Sequence, residues 1–187
     1  MGAVIVVIFG LMGTGKTTLA QALSRLLGWP AVMSDAVRKH LAGLAPTTPT
    51  PTEFGKGIYD EDHSRHAYAE MRRLAWENLK TAAGVILDGS YKRAGERELV
   101  REMGRELKAR VLFVYCACPE DVVRERLKIR RMDPQAISDG REEILAAQAA
   151  DFDPIEAGDR PLLWLDTSRE PDAVLQEAKN FIAKFES

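Results

Sequence analysis

The stretch Gly10-Leu11-Met12-Gly13-Thr14-Gly15-Lys16-Thr17 fits the P-loop pattern G-x-x-x-x-G-K-[ST], and its setting gives the pattern physical meaning. The apolar run from Ala3 to Phe9 precedes it, and the helix-like segment Thr18-Leu19-Ala20-Gln21-Ala22-Leu23 follows. A buried strand would aim the turn, glycines would let backbone N–H groups of Gly10, Met12, Gly13, Thr14, Gly15, Lys16, Thr17 and Thr18 converge on phosphate, and the helix would add its positive dipole end. Lys16 would reach the β- and γ-phosphates, and the Thr17 hydroxyl would bind Mg²⁺. The chemistry implied is that of a nucleoside triphosphate site.

Further candidates stand at the ends of apolar runs. Asp88 follows Val85-Ile86-Leu87 as a Walker B acid would, holding Mg²⁺ directly or through water; capping the next helix is its alternative. Asp35 follows a short apolar segment and is placed to accept the proton of a substrate hydroxyl, a task worth about 10²–10⁴-fold. Its alternative is also a helix N-cap. Arg38 lies one helical turn beyond Asp35 on the same side, and such an acid–arginine pair suits an acceptor with a hydroxyl and an anionic or polar group. Arg126 and Arg130 are spaced i,i+4 just before the Asp133-Pro134 break. On a flap over the phosphates such arginines would stabilise the transferring group, one well-placed finger being worth about 10³–10⁵-fold. A solvated helix face paired with Glu125 and neighbouring acids is the other reading.

Less is expected of the remaining polar residues. Arg65 and Arg72 share a face of one helix; Arg65 is carried as a substrate-binding candidate, with a surface role for at least one of the pair. Asp166 suits turn chemistry better than catalysis. His40, His63 and His66 show no metal-ligand spacing and are expected at the surface. Cys116 and Cys118, the two cysteines, fall at C-x-C spacing inside an apolar run, on one face of a strand by alternation. They are expected to be buried free thiols, not a zinc or redox pair.

These positions require strands that end where the acids stand. The sequence predicts a helix over residues 16–27, a short strand to Met33-Ser34, and a helix over 35–41. A Pro/Thr-rich loop spans Pro46 to Thr52. A long amphipathic helix follows from about Glu61 to Ala83, ended by Gly84, through apolar positions Ala67, Tyr68, Met71, Leu74, Ala75 and Leu79. Then come a strand over 85–88, a helix over 94–108, a strand over 111–117 and a helix opened by Pro119. Asp139 with Glu142 resembles a capping box for a helix to about Ala150. A strand over 162–165 and a helix from about Pro171 to Phe185 complete the pattern. Alternating strands and helices, with several strands continuously apolar, imply an α/β fold with a parallel sheet covered on both faces. Ligands then gather at the carboxyl ends of the strands.

Length, at 187 residues, predicts one domain, and 45% hydrophobic with 29% charged residues is ordinary for a globular chain. A net charge of −2 argues against a broad nucleic-acid or membrane surface. The apolar start lacks a basic segment and leads straight into the phosphate loop, so it reads as a core strand, and no other run approaches membrane-spanning length. A cytoplasmic location is expected.

The phosphate loop, Ser34-Asp35-x-x-Arg38, Asp88-Gly89-Ser90 and Arg126-x-x-x-Arg130 together resemble the small P-loop kinases, of the gluconate-kinase-like and polynucleotide-kinase-like kind, from Val4 to about Ser168. The resemblance implies a three-layer fold with a five-stranded parallel sheet in the order 2-3-1-4-5, ATP with Mg²⁺ on the loop, and a lid over about 126–141. It further implies Asp35 as general base, Arg38 as acceptor-binding arginine, Arg126 and Arg130 as lid arginines, and Thr167-Ser168 as part of the adenine pocket. The acceptor region would be about 35–83, although Pro46 to Thr52 matches no known acceptor pocket. Phosphoryl transfer to a hydroxyl of a small molecule leads the functional readings. The alternatives are 5′-hydroxyl phosphorylation of a nucleic-acid end, which the acidic balance disfavours without excluding it, and a nucleotide-dependent regulatory ATPase or switch. Monomer and homodimer both stay open.

Overall fold

The computed structural model describes residues 2–45, 48, 57–130 and 145–185, with the Arg130 side chain outside the described set. Strand β1 (Val4–Phe9) is followed by α1 (Lys16–Leu27), β2 (Ala31–Met33), α2 (Ser34–Leu41) and α3 (Glu61–Asn78). Next come β3 (Gly84–Asp88), α4 (Ala94–Leu107), β4 (Arg110–Ala117) and α5 (Glu120–Arg130). Helix α6 (Leu145–Ala150), β5 (Leu162–Asp166) and α7 (Pro171–Ala183) complete the described elements, with single 3₁₀ turns at Gly57–Tyr59 and Ala157–Asp159. The strands form one parallel sheet in the order β2-β3-β1-β4-β5, the expected arrangement.

β1 is apolar throughout because the central strand of such a sheet is covered on both faces. Its period of two divides it between two cores. Val4, Val6 and Ile8 meet Leu19 and Leu23 of α1 and Ala178 and Ile182 of α7. Ile5, Val7 and Phe9 meet Tyr68 and Met71 of α3 and Val100 of α4. A third, smaller cluster joins Met12 to Val123, Leu127 and Leu145, bringing α5 and α6 onto the phosphate loop.

Most boundaries fall within a residue or two of expectation, and the third helix does not. α3 stops at Asn78, and the chain leaves it through i→i−3 bonds from Lys80 N to Glu77 O and Thr81 N to Asn78 O. Gly84 is the first residue of β3, not the stop of a helix. Its reason is packing: a Cβ there would stand 2.4 Å from Cε3 of Trp29, whose ring lies on the strand backbone. The Asp139/Glu142 capping box and most of the Pro46 to Thr52 loop lie outside the described residues.

Candidate active site

The carboxyl ends of β1, β2 and β3 meet at one edge of the sheet, and the phosphate loop leaves from the centre of it. Gly10 has φ +137°, and a Cβ there would stand 2.5 Å from the Cys116 carbonyl oxygen. At Gly13 a Cβ would lie 2.7 Å from Val123 Cγ1, so α5 rests directly on the loop. Gly15 caps α1 without a side-chain hydrogen bond, leaving the first amides of that helix to the loop concavity. Inside the loop, the Leu11 carbonyl accepts from Lys16 Nζ at 2.5 Å and from Thr14 Oγ1 at 2.8 Å. Thr18 is exposed, and two of the amides expected on phosphate are directed elsewhere: Gly10 N donates to the Ser90 carbonyl at 3.4 Å, and the N–H of the buried Met12 donates to Gln148 Oε1 at 2.7 Å.

Thr17 Oγ1 donates to Asp88 Oδ2 at 2.6 Å across 71 residues of sequence. A hydroxyl and a buried carboxylate at the head of α1 are hard oxygen donors, and they fit Mg²⁺, which keeps much of its coordination for water and phosphate. Among the described residues no three His, Cys, Asp or Glu side chains gather into a metal-holding group. Asp88 does not cap α4, whose N-cap is Arg93 without a side-chain bond.

Across from the loop, Asp35 stands inside the first turn of α2, whose N-cap is Met33; it is not the cap itself. Its Oδ1 accepts from Arg38 Nη1 at 2.9 Å. Arg38 is only 7% exposed, with its guanidinium 4.9 Å from the centre of the Tyr59 ring and its Nη2 reaching Ser64 Oγ at 3.5 Å. Its Nε is buried and has no hydrogen-bond partner among the described residues. Tyr68 forms the wall behind it: the phenol oxygen takes a bond from Tyr91 N at 3.0 Å and pairs with Ser90 Oγ at 3.1 Å. Burial raises the Tyr68 phenol above its ordinary pKa, so it stays protonated at neutral pH.

On the other flank, Arg126 Nη2 donates to the Thr167 carbonyl at 2.6 Å, and Nη1 lies 3.8 Å from Cys118 Sγ. The same Nη1 would be 3.5 Å from a Cβ at Gly15. The buried Thr167 donates its hydroxyl to the Thr14 carbonyl at 2.7 Å, whereas Ser168 is exposed and bonds Asp166, which does turn chemistry at the end of β5. Arg126 therefore sits beside the loop on the Thr167 side. Arg130 ends α5 with its side chain outside the described residues, and residues 131–141 of the expected lid are outside them too.

Two expectations need correction. Arg65 does not join the site: its side chain is 73% exposed and paired with Asp62 on the solvent side of α3. Its helix-mate Arg72 binds Glu96 at 2.5 Å and ties α3 to α4. Cys118 is not on the strand with Cys116, because β4 ends at Ala117; it is half-buried beside Arg126, while the buried Cys116 thiol is pushed up to about 12 by desolvation. Both are free thiols, and the three histidines are exposed.

Sequence spacing missed several neighbours. Tyr59, Ser64 and Tyr68 come from α3 and the turn before it, and only the amphipathic pattern of that helix hinted at Tyr68. Gln148 of α6 accepts from the Met12 amide at 2.7 Å, with no motif to mark it. The segment after α6 is fastened by Arg97, which bonds Asp159 at 2.9 Å and the Pro154 carbonyl at 2.6 Å, and by Lys92 and Arg93 on Asp151.

The chain has counterparts among known proteins. The AAA domain family (AAA_33) matches residues 5–155. An uncharacterized protein of Mycobacterium tuberculosis is 31% identical over 144 residues, covering 75% of this chain and 28% of that protein. The chain thus spans little more than a quarter of the length of such relatives. A gluconokinase of Gluconobacter oxydans is 27% identical over 171 residues, covering 91% of this chain and 86% of that one. Among solved structures, a gluconokinase from Sinorhizobium meliloti 1021 superposes with a TM-score of 0.68 at 20% identity, over 99% of this chain and 93% of that chain, and shares the fold. With loop, sheet order and acidic strand ends all in place, the chain belongs to the AAA domain family (AAA_33).

Proposed function

We propose that the chain transfers the γ-phosphoryl group of ATP to a hydroxyl of a small-molecule acceptor. The observation that carries this is Asp35, held by Arg38 at the same sheet edge as the Thr17–Asp88 pair. A switch or regulatory ATPase needs Asp88 but has no use for a second carboxylate oriented in this way. The gluconokinase relative supports a reaction of this kind.

In the proposed reaction the loop amides and Lys16 hold the polyphosphate and neutralise charge that grows on it. Thr17 and Asp88 would hold Mg²⁺, which when bound offsets negative charge on the phosphate oxygens. Asp35 takes the proton of the acceptor hydroxyl. Arg38 orients that carboxylate, and its buried Nε, which has no partner among the described residues, offers a hydrogen bond to an anionic or polar group of the acceptor. Arg126 clasps the nucleotide from the Thr167 side, with Thr167 and Ser168 beside the base, and Arg130 belongs to the lid. We further assign the chain as a single kinase domain over 1–187, with an acceptor region about 35–83 and a lid about 126–141, working in the cytoplasm as monomer or homodimer. Among the described residues no helix is long and apolar enough to cross a membrane.

Incubation with γ-labelled ATP and Mg²⁺ against separate pools of sugars and sugar acids, nucleosides, aminoglycosides and oligonucleotides tests this reading. Label is expected in one small-molecule pool. Label in the oligonucleotides alone, or released only as free phosphate, refutes it.

A further inference from the structure

The peptide joining Leu11 to Met12 is gripped at both ends of its dipole. Its carbonyl accepts from Lys16 Nζ at 2.5 Å and Thr14 Oγ1 at 2.8 Å, and its N–H donates to Gln148 Oε1 at 2.7 Å. In a trans peptide the N–H and C=O point to opposite sides, so whatever fixes one fixes the other. Gln148 is brought there by α6, whose Leu145 is buried with Met12, Val123 and Leu127. The partner atom is chemically determined: Met12 N–H is a donor, so only the carboxamide oxygen of Gln148 can face it.

We propose that Gln148 is a positioning residue that aims Lys16 through the loop backbone. By holding the Met12 amide it keeps the Leu11 carbonyl turned toward the Lys16 ammonium. The bond to that carbonyl fixes the position and direction of the ammonium head that would meet phosphate oxygens. Without an acceptor at 148, the buried Met12 residue carries an amide with no partner, and rotating the peptide to satisfy it carries the carbonyl off Lys16. The helix that follows the expected lid region thereby acts on the charge that meets the β- and γ-phosphates. The inference rests on the reading of this loop as a triphosphate site.

The test is calorimetric titration of Mg²⁺-adenylyl imidodiphosphate and of Mg²⁺-ADP into the unmodified chain, Gln148→Met and Gln148→Glu, with the Tm of each. Gln148→Met keeps length and shape but has no acceptor, and Gln148→Glu restores one. Gln148→Met is expected to stay folded at the temperature of the titration and to weaken the triphosphate analogue about tenfold, with a smaller loss for ADP, because Lys16 serves the γ-phosphate as well as the β. Gln148→Glu is expected to recover most of that loss. Equal losses for the two nucleotides, no loss, a loss that comes with unfolding at that temperature, or a Gln148→Glu as weak as Gln148→Met overturns the inference and leaves the loop reading standing. An unmodified chain that takes up neither nucleotide overturns both.

Discussion

The two sides of the cleft are built by different means. On the β1–α1 side, the groups that would meet phosphate are backbone amides and the neighbouring side chains of Lys16 and Thr17, shaped by glycines and fastened from a distance by Asp88, Gln148 and Thr167. On the α2–α3 side they are side chains drawn from separate elements: Asp35 and Arg38 from α2, Tyr59 and Ser64 from the next turn and helix, Ser90 from beyond β3. The first side closes its hydrogen bonds within the chain, the Leu11 carbonyl taking Lys16 and Thr14 and the Thr14 carbonyl taking Thr167. The second retains a buried guanidinium nitrogen without a partner among the described residues. A backbone cradle suits a ligand group that never varies. A set of side chains can be exchanged one at a time, which suits the side that, in the proposed reaction, chooses the acceptor.

Separating the sides by mutation gives the largest expected effect at Asp35. Asp35→Asn should leave nucleotide affinity unchanged and lower turnover by about 10²–10⁴-fold; equal turnover in the two proteins would remove the general-base assignment. Lys16→Ala strikes the opposite side, lowering turnover by about 10²–10³-fold with weaker nucleotide uptake by calorimetry, as for loss of one charge-stabilising donor. Arg38→Met should raise the KM of the acceptor by about 10–100-fold, the scale of a hydrogen bond to a charged group, with KM for ATP unmoved. A parallel rise in both constants would show that the two sides are not independent. Tyr91→Phe deletes a fully buried hydroxyl that has no hydrogen-bond partner among the described residues and should stabilise the fold by about 1 kcal/mol in urea unfolding. Smallest of all, Arg65→Ala should change stability by less than about 0.5 kcal/mol, because its partnership with Asp62 is solvent-exposed, and should leave turnover where it was.

The same contrast explains what could be read from the chain alone. The strand–loop–helix unit is contiguous, and its glycines are dictated by local geometry, so residues 10–17 disclose it without help from the rest of the sequence. The acidic strand ends were legible because buried parallel strands are unbroken apolar runs, and the residue after each run falls at the ligand edge. Arg65 misled because seven-residue spacing on α3 fixes that two side chains share a face but not which face meets the cleft. Gln148 was invisible because its contact spans 136 residues and ends on a backbone amide, which carries no residue-type signal. The staple from Arg97 to Asp159 was hidden for the same reason, buried ion pairs being properties of assembled surfaces and not of spacing.

Trp29 has a use that follows from its seat on Gly84. Of the three indoles in the chain it alone is buried, at 7% exposure, while Trp76 and Trp164 are open to solvent at 40% and 60%. Its emission should lie to the blue of theirs and resist acrylamide, so replacing Trp76 and Trp164 with phenylalanine would leave a single-fluorophore protein. That lone signal would report whether β3 is still docked beside β2, giving an optical gauge of sheet integrity that is separate from any assay of the cleft.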